Sequence, residues 1–202
     1  MGVFFEVKSV FIMITSPKPS ITVLNQIIQV HDEIDGVILR FDAAEKDIIH
    51  FINQLITRIP KDKIIVHNNP NILFACHLTR IHFKESNSEI DAFRNNHPEI
   101  QVSQSVHSLA SAKHAESLDL SFVLFGHVFP TPSKPDLPPR AAAQIDAVTR
   151  IDIPIVALGG ISIDTIRQLN TNFSGFAGIR LFTNKQDFLA VKKEWLLRTT
   201  SL

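Results

Sequence analysis

Short β-branched runs alternate with longer amphipathic stretches along the whole chain, and few folds accommodate that rhythm. The candidate strands are residues 10–15, 36–40, 63–67, 80–83, 101–105, 121–126, 154–158 and 175–180. Most are continuously apolar, as strands covered on both faces must be. Eight β/α alternations in 202 residues predict a (β/α)₈ TIM barrel near the lower size limit of that class. A doubly wound open sheet shares the alternation and is the runner-up. No composition break or Gly/Ser linker divides the chain, so residues 1–202 read as a single domain. The weakest segment is 68–86, where the third helix and fourth strand are short and polar residues intrude.

Apolar residues between the strands recur at helical spacing. Val23, Leu24, Ile27 and Ile28 form one face, and Ile48, Ile49, Ile52, Leu55, Ile56 and Ile59 another. Leu109, Ala112 and Ala115 follow, then Ile163, Ile166 and Leu169, then Phe188, Val191 and Trp195. Ser108 is placed to cap the fifth helix, and Ser162 with Asp164 to open the seventh.

Composition excludes several partner classes. Twenty basic and 20 acidic residues give zero net charge without a long basic run, which argues against nucleic acid. Cys76 is the single cysteine, so neither an internal disulfide framework nor a multi-cysteine zinc site is available. Met1–Lys8 lacks a basic n-region, and Glu6 stands where myristoylation needs Ser or Thr. No apolar run approaches the roughly 20 residues of a membrane span. The expectation is a soluble, cytoplasmic protein without nucleic-acid or membrane partners.

Barrel function collects at the C-terminal strand ends. Those positions hold Thr15, Arg40, His67 with Asn68 and Asn69, His82, Ser105 with His107, His127, Gly159 with Gly160, and Arg180. Gly159-Gly160 follows the seventh strand and is expected to open a helix, letting backbone N–H groups approach a phosphate; a plain tight turn is the alternative. Arg180, read at the end of the eighth strand, could add charge-assisted bonds or form a surface ion pair. Thr131-Pro-Ser-Lys134 offers hydroxyls and an ammonium on a loop stiffened by prolines. Nine histidines are scattered without metal-ligand spacing, so no metal is expected; His31, His50, His97 and His114 read as surface residues. His127 sits directly behind an apolar strand, where an imidazole is either satisfied by backbone or used in proton transfer.

Three segments then become familiar. Ser105-Val-His-Ser108, Val123-Leu-Phe-Gly-His-Val-Phe129 and Pro154-Ile-Val-Ala-Leu-Gly-Gly-Ile161 resemble the thiamine phosphate synthase superfamily. The Gly-His-Val-Phe segment is similar to its TenI branch, the thiazole tautomerases of thiamine biosynthesis. That resemblance implies a (β/α)₈ barrel and a homodimer. It further implies cofactor-free aromatisation of a carboxythiazole ethyl phosphate tautomer, a small-molecule partner. His127 would be the acid/base. Gly159, Gly160 and Arg180 would hold the phosphate, with Lys134 closing over it. Arg40, Ser105 and His107 would meet the carboxylate or orient His127.

The synthase, an Mg²⁺-dependent transferase, is the alternative. Its pattern has Arg-x-Lys after strand 2, where this chain has Arg40-Phe-Asp42, and an Asn-Asp pair after strand 3, where it has Asn68-Asn69. A second metal-binding Asp is expected after strand 4, and only Glu85 is near. Phe129-Pro-Thr-Pro-Ser-Lys-Pro-Asp136 nevertheless looks more like the synthase pyrophosphate loop than the usual tautomerase loop. Arg180 stands where the family often shows a Ser-Gly or Ser-Ala phosphate contact. A regulatory protein that binds the thiazole phosphate without converting it is the third reading.

Overall fold

The computed structural model describes residues 9–200. The reading of Met1–Lys8 lies outside them. Eight parallel strands run β1 (Val10–Ile14), β2 (Gly36–Leu39), β3 (Ile64–His67), β4 (Arg80–Phe83), β5 (Gln101–Val106), β6 (Phe122–Gly126), β7 (Ile155–Leu158) and β8 (Gly175–Gly178). They pair in sequence order, and β1 closes on β8 through Val10↔Gly175 to Met13↔Gly178. That closing pair excludes the open doubly wound sheet. The fold is a (β/α)₈-type barrel.

Alternation along each strand divides the core in two. Ile12, Ile14, Ile38, Ile65, Phe122, Leu124, Val156 and Ala177 pack together inside the barrel. Their neighbours Phe11, Met13, Val37, Leu39, Ile64, Val66, Val123 and Phe125 face outward and join the helix layer. Burying such a side chain is worth roughly 1.5–3 kcal/mol, so both faces hold each strand in register. The apolar interior is interrupted on the β4–β5 side by His82 and Ser103, both buried.

The outer layer comprises α1 (Ile21–Val30), α2 (Glu45–Leu55), α3 (Pro70–Ala75), α4 (Ile90–Asn96), α5 (Leu109–Ser117), α6 (Ala142–Val148) and α7 (Lys185–Thr199). Ser20 caps α1, and Ser108 caps α5 by accepting from the Ser111 backbone N–H. Phe188, Val191 and Trp195 of α7 are fully buried, and the Trp195 indole donates to Ser9 Oγ.

Two expectations fail at the end of the chain. No α-helix follows β7; residues 161–170 form turns and a 3₁₀ segment at Ile166–Gln168. Ile166 and Leu169 are buried as the spacing predicts, but Ile163 is exposed. β-Branched Ile163, Thr165 and Ile166 favour helix weakly. Thr165 Oγ1 also closes a tight turn by accepting from Ser162 N–H and donating to Gly160 O. Arg180 likewise lies beyond β8, as the first residue of a 3₁₀ turn, Arg180–Thr183.

Candidate active site

β6 delivers His127 to the C-terminal rim of the barrel, beside a cleft of about 460 Å³. The cleft is walled by the segments after β6, β7 and β8, and Arg40, Ser105 and His107 also line it. His127, Lys134, Gly159, Gly160 and Arg180 therefore converge on one space with those three, as the strand-end reading expects. His127 is only 6% exposed. Its Nε2–H donates to the Leu137 carbonyl at 3.1 Å, and its Nδ1 is buried without a partner. Leaving such a nitrogen unsatisfied costs about 1–3 kcal/mol.

Gly159 and Gly160 have φ of +99° and +69°. A Cβ on Gly159 would stand 2.3 Å from His127 Cβ, and one on Gly160 would stand 2.6 Å from both Phe129 Cβ and Pro130 O. Glycine is thus required here for the loop after β7 to lie against His127 itself. Because no α-helix begins at this turn, the expected helix N-terminus is not available to an anion. Positive charge comes instead from Arg180 and Lys134, whose side chains make no hydrogen bond or ion pair among the described residues.

A second lobe, about 660 Å³, opens toward the ends of β2 to β5 and shares Arg40, Ser105 and His107 with the first. His67, His82, Lys84, Asp42 and Glu85 line it. His82 bridges Ser103 Oγ and Ser105 Oγ, each at 2.9 Å. Ser103 donates its own proton to Ile81 O at 3.3 Å, so it accepts from His82 Nδ1–H, and Ser105 donates to His82 Nε2. The trio has the spacing of a nucleophile, base and orienting group. Burial pushes His82 down to about 3, however, with His67 adding to the shift. A ring whose basicity burial lowers this far is a poor acceptor for the proton a nucleophilic serine gives up. The trio is a structural relay that commits the Ser105 proton inward. His67 is pushed down to about 4 by burial and then by Lys84 and Arg40.

The Mg²⁺ implied by the synthase resemblance needs clustered anionic oxygens. Asn69 Oδ1 instead caps α3 by accepting from Ile72 N–H, while its amide donates to Glu45. Asn68 Oδ1 accepts from Lys84 N–H and Asn87. Glu85 is engaged by His107, through the backbone N–H at 2.8 Å and ring Nδ1 at 2.6 Å. Among the described residues no group of three or more His, Cys, Asp or Glu could hold a metal. This donor set does not fit Mg²⁺.

Several contributors escape sequence reading. Arg140 donates from its backbone N–H to His127 O at 2.9 Å and from Nε to Gly126 O at 3.0 Å, and its guanidinium lies over Phe125. Its place after Pro138-Pro139, at the end of a loop, was the available signal. Thr15 is at its strand end as expected but is fully buried, and its Oγ1 accepts from Arg40 N–H. His50 and His114 are exposed, whereas His31 and His97 are half-buried, each beside an acidic residue.

The chain matches the family described as Thiamine monophosphate synthase (TMP-TENI) over residues 11–182. A putative thiamine-phosphate synthase 2 of Aquifex aeolicus is 30% identical over 129 residues, 63% of this chain and 69% of that protein. The thiamine-phosphate synthase of Pyrococcus abyssi is 25% identical over 158 residues, 76% of either chain. A thiamine phosphate pyrophosphorylase structure from Pyrococcus furiosus superposes with a TM-score of 0.74 and 19% identity, covering 95% of each chain. At that identity the superposition speaks for the fold alone.

Proposed function

Because this chain belongs to the thiamine monophosphate synthase family, we propose that it works as a thiazole tautomerase within it. The substrate would be the dihydro, exocyclic-alkene form of a carboxythiazole ethyl phosphate. The observation that carries the proposal is His127, a buried imidazole on the cleft wall with one ring nitrogen unpartnered. Phosphate binding alone requires no such group.

The ring C–H bond beside the carboxylate breaks, its electrons shift through the ring into the exocyclic alkene, and a new C–H bond forms on the side-chain carbon. The ring becomes aromatic and no redox partner is involved. His127 would handle the proton. Lys134, Arg180 and the Gly159-Gly160 backbone would hold the phosphate, and Arg40 would hold the carboxylate.

The names of the relatives and the Thr131–Lys134 loop on the cleft favour a second reading, thiamine-phosphate synthase. One assay separates them. Purified protein in excess EDTA should aromatise the thiazole tautomer, and His127→Asn should lower kcat by about 10²–10⁴-fold with the fold intact. Mg²⁺-dependent coupling of thiazole phosphate to a pyrimidine pyrophosphate, without tautomerisation, would establish the synthase instead. Binding with neither reaction would leave the regulatory reading.

A further inference from the structure

Tautomerisation needs a proton removed at one carbon and another delivered elsewhere, and the cleft holds a second imidazole suited to the delivery. The register Val106↔Phe125 places His107 beside Gly126, the residue before His127. Neighbouring strands lie about 4.8 Å apart, so the two histidines rise from adjacent points of the rim. Both line the same cleft.

Each ring has one nitrogen committed, but to chemically different partners. His127 gives Nε2–H to a peptide carbonyl, an arrangement that suits a neutral ring with a bare Nδ1. His107 gives Nδ1–H to the Glu85 carboxylate, which also accepts from the His107 backbone N–H. Burial alone would push Glu85 up, but hydrogen bonds from Ser111 and His107 outweigh it and hold the carboxyl below its ordinary value. A carboxylate partner favours positive charge on an imidazole, whereas a carbonyl does so far less. The two rings therefore differ in what holds them, a carboxylate for His107 and a peptide carbonyl for His127, and that asymmetry of partners assigns the acid and the base. The ammonium and guanidinium of Lys84 and Arg40 face the same lobe from β4 and β2, with His67 from β3.

We propose that His107, oriented by Glu85, is the general acid that protonates the side-chain carbon while His127 removes the ring proton. This rests on the tautomerase reading. In one turnover His127 gains the ring proton and His107 Nε2 loses one to the new C–H bond. Exchange with solvent through the open cleft then restores both. Glu85 is a positioning residue: by holding Nδ1–H it aims the ring and leaves Nε2–H for substrate.

The thiazole tautomer, turned over once by whole protein in D₂O, should give product with one deuterium on the side-chain carbon. Carry-over of substrate protium to that carbon would overturn the proposal, because one histidine would then be serving both ends. His107→Asn should lower kcat about 10²–10⁴-fold with KM little changed. A raised KM with unchanged kcat would mark an anion contact and sink the acid role. Glu85→Gln should lower kcat about 10–100-fold, with Glu85→Asp partly restoring it. Long-range ¹H–¹⁵N NMR reads the rings without turnover; Nδ1–H at His107 and bare Nδ1 at His127 are expected, and a bare Nδ1 at His107 refutes the assignment. Wild-type protein inactive on the tautomer defeats the tautomerase reading and this inference together. An active wild type with an unaffected His107→Asn defeats only the inference. Thermal midpoints of the variants separate these outcomes from misfolding.

Discussion

Replacing Gly159 by alanine tests the link between the glycine turn and the histidine beside it. Two penalties act together. At φ +99° a residue with a Cβ is outside the allowed left-handed well, which costs about 1–3 kcal/mol. The new methyl would also lie 2.3 Å from His127 Cβ and 2.9 Å from His127 Cα. Neither atom is the end of a flexible side chain, so the backbone must move, at about 1–3 kcal/mol for overpacking. Partial relaxation leaves a net loss of about 3 kcal/mol. For a chain of this size, about 2–4 °C per kcal/mol turns that into a fall of about 6–12 °C in Tm. Gly178→Ala is the matched control. It has no positive φ, and its Cβ would meet Leu181 at 3.4 Å and Phe182 at 3.7 Å, ordinary contact distances. Its effect should lie between neutral and about 1 kcal/mol stabilising, through a less flexible unfolded chain. Calorimetry of both variants decides. A Gly159→Ala midpoint within about 2 °C of wild type, or an equal loss in both variants, would refute the reasoning.

Acid sensitivity follows from the buried histidines. Folded His82 is pushed down to about 3 and His67 to about 4, against 6.5 for either ring unfolded. Above pH 6.5 both are neutral in either state, and folded stability is complete. As pH falls toward 4, the unfolded chain binds two protons that the folded chain refuses, so stability drops at up to about 2.7 kcal/mol per pH unit. Urea melts across pH 7 to 4 should show that slope, and His82→Asn should roughly halve it; a flat profile contradicts the assignment. For the anion site, Arg180→Ala and Lys134→Ala should each raise KM for the thiazole phosphate about tenfold, a change of about 1.4 kcal/mol, with kcat kept. Unchanged KM in both would remove the phosphate from this wall.

Where strands occur was readable because their signal is local. Most of the eight announce themselves by apolar runs, and every observed strand falls within its expected range except β5, which runs one residue further, to Val106. The seventh helix misled because Ile163, Ile166 and Leu169 carry a helical period, while the Ser162–Thr165 side-chain bonds favour a turn. Periodicity records which residues are buried, and a 3₁₀ segment buries Ile166 and Leu169 as readily as an α-helix. The site was legible as far as strand ends determine it, which brings His127, His107 and Arg40 to one rim. Pairings across long separations were not. Glu85 meets His107 from 22 residues away, and Arg140 reaches Gly126 from 14. Neither bond leaves a periodic trace in the chain.

Arg140 gives the mixed character of this cleft a mechanical basis. Its two bonds to the carbonyls of Gly126 and His127 staple the far end of the proline-rich segment to the strand where that segment begins. The stretch between forms a hoop whose feet are fixed side by side. Its crown at Thr131–Lys134 can be re-sequenced, or tilt over a ligand, without dragging the histidine from its post. A tautomerase-like foot can therefore carry a synthase-like crown. In a lineage that exchanged one crown for another, His127 would stay put while the ligand range drifted.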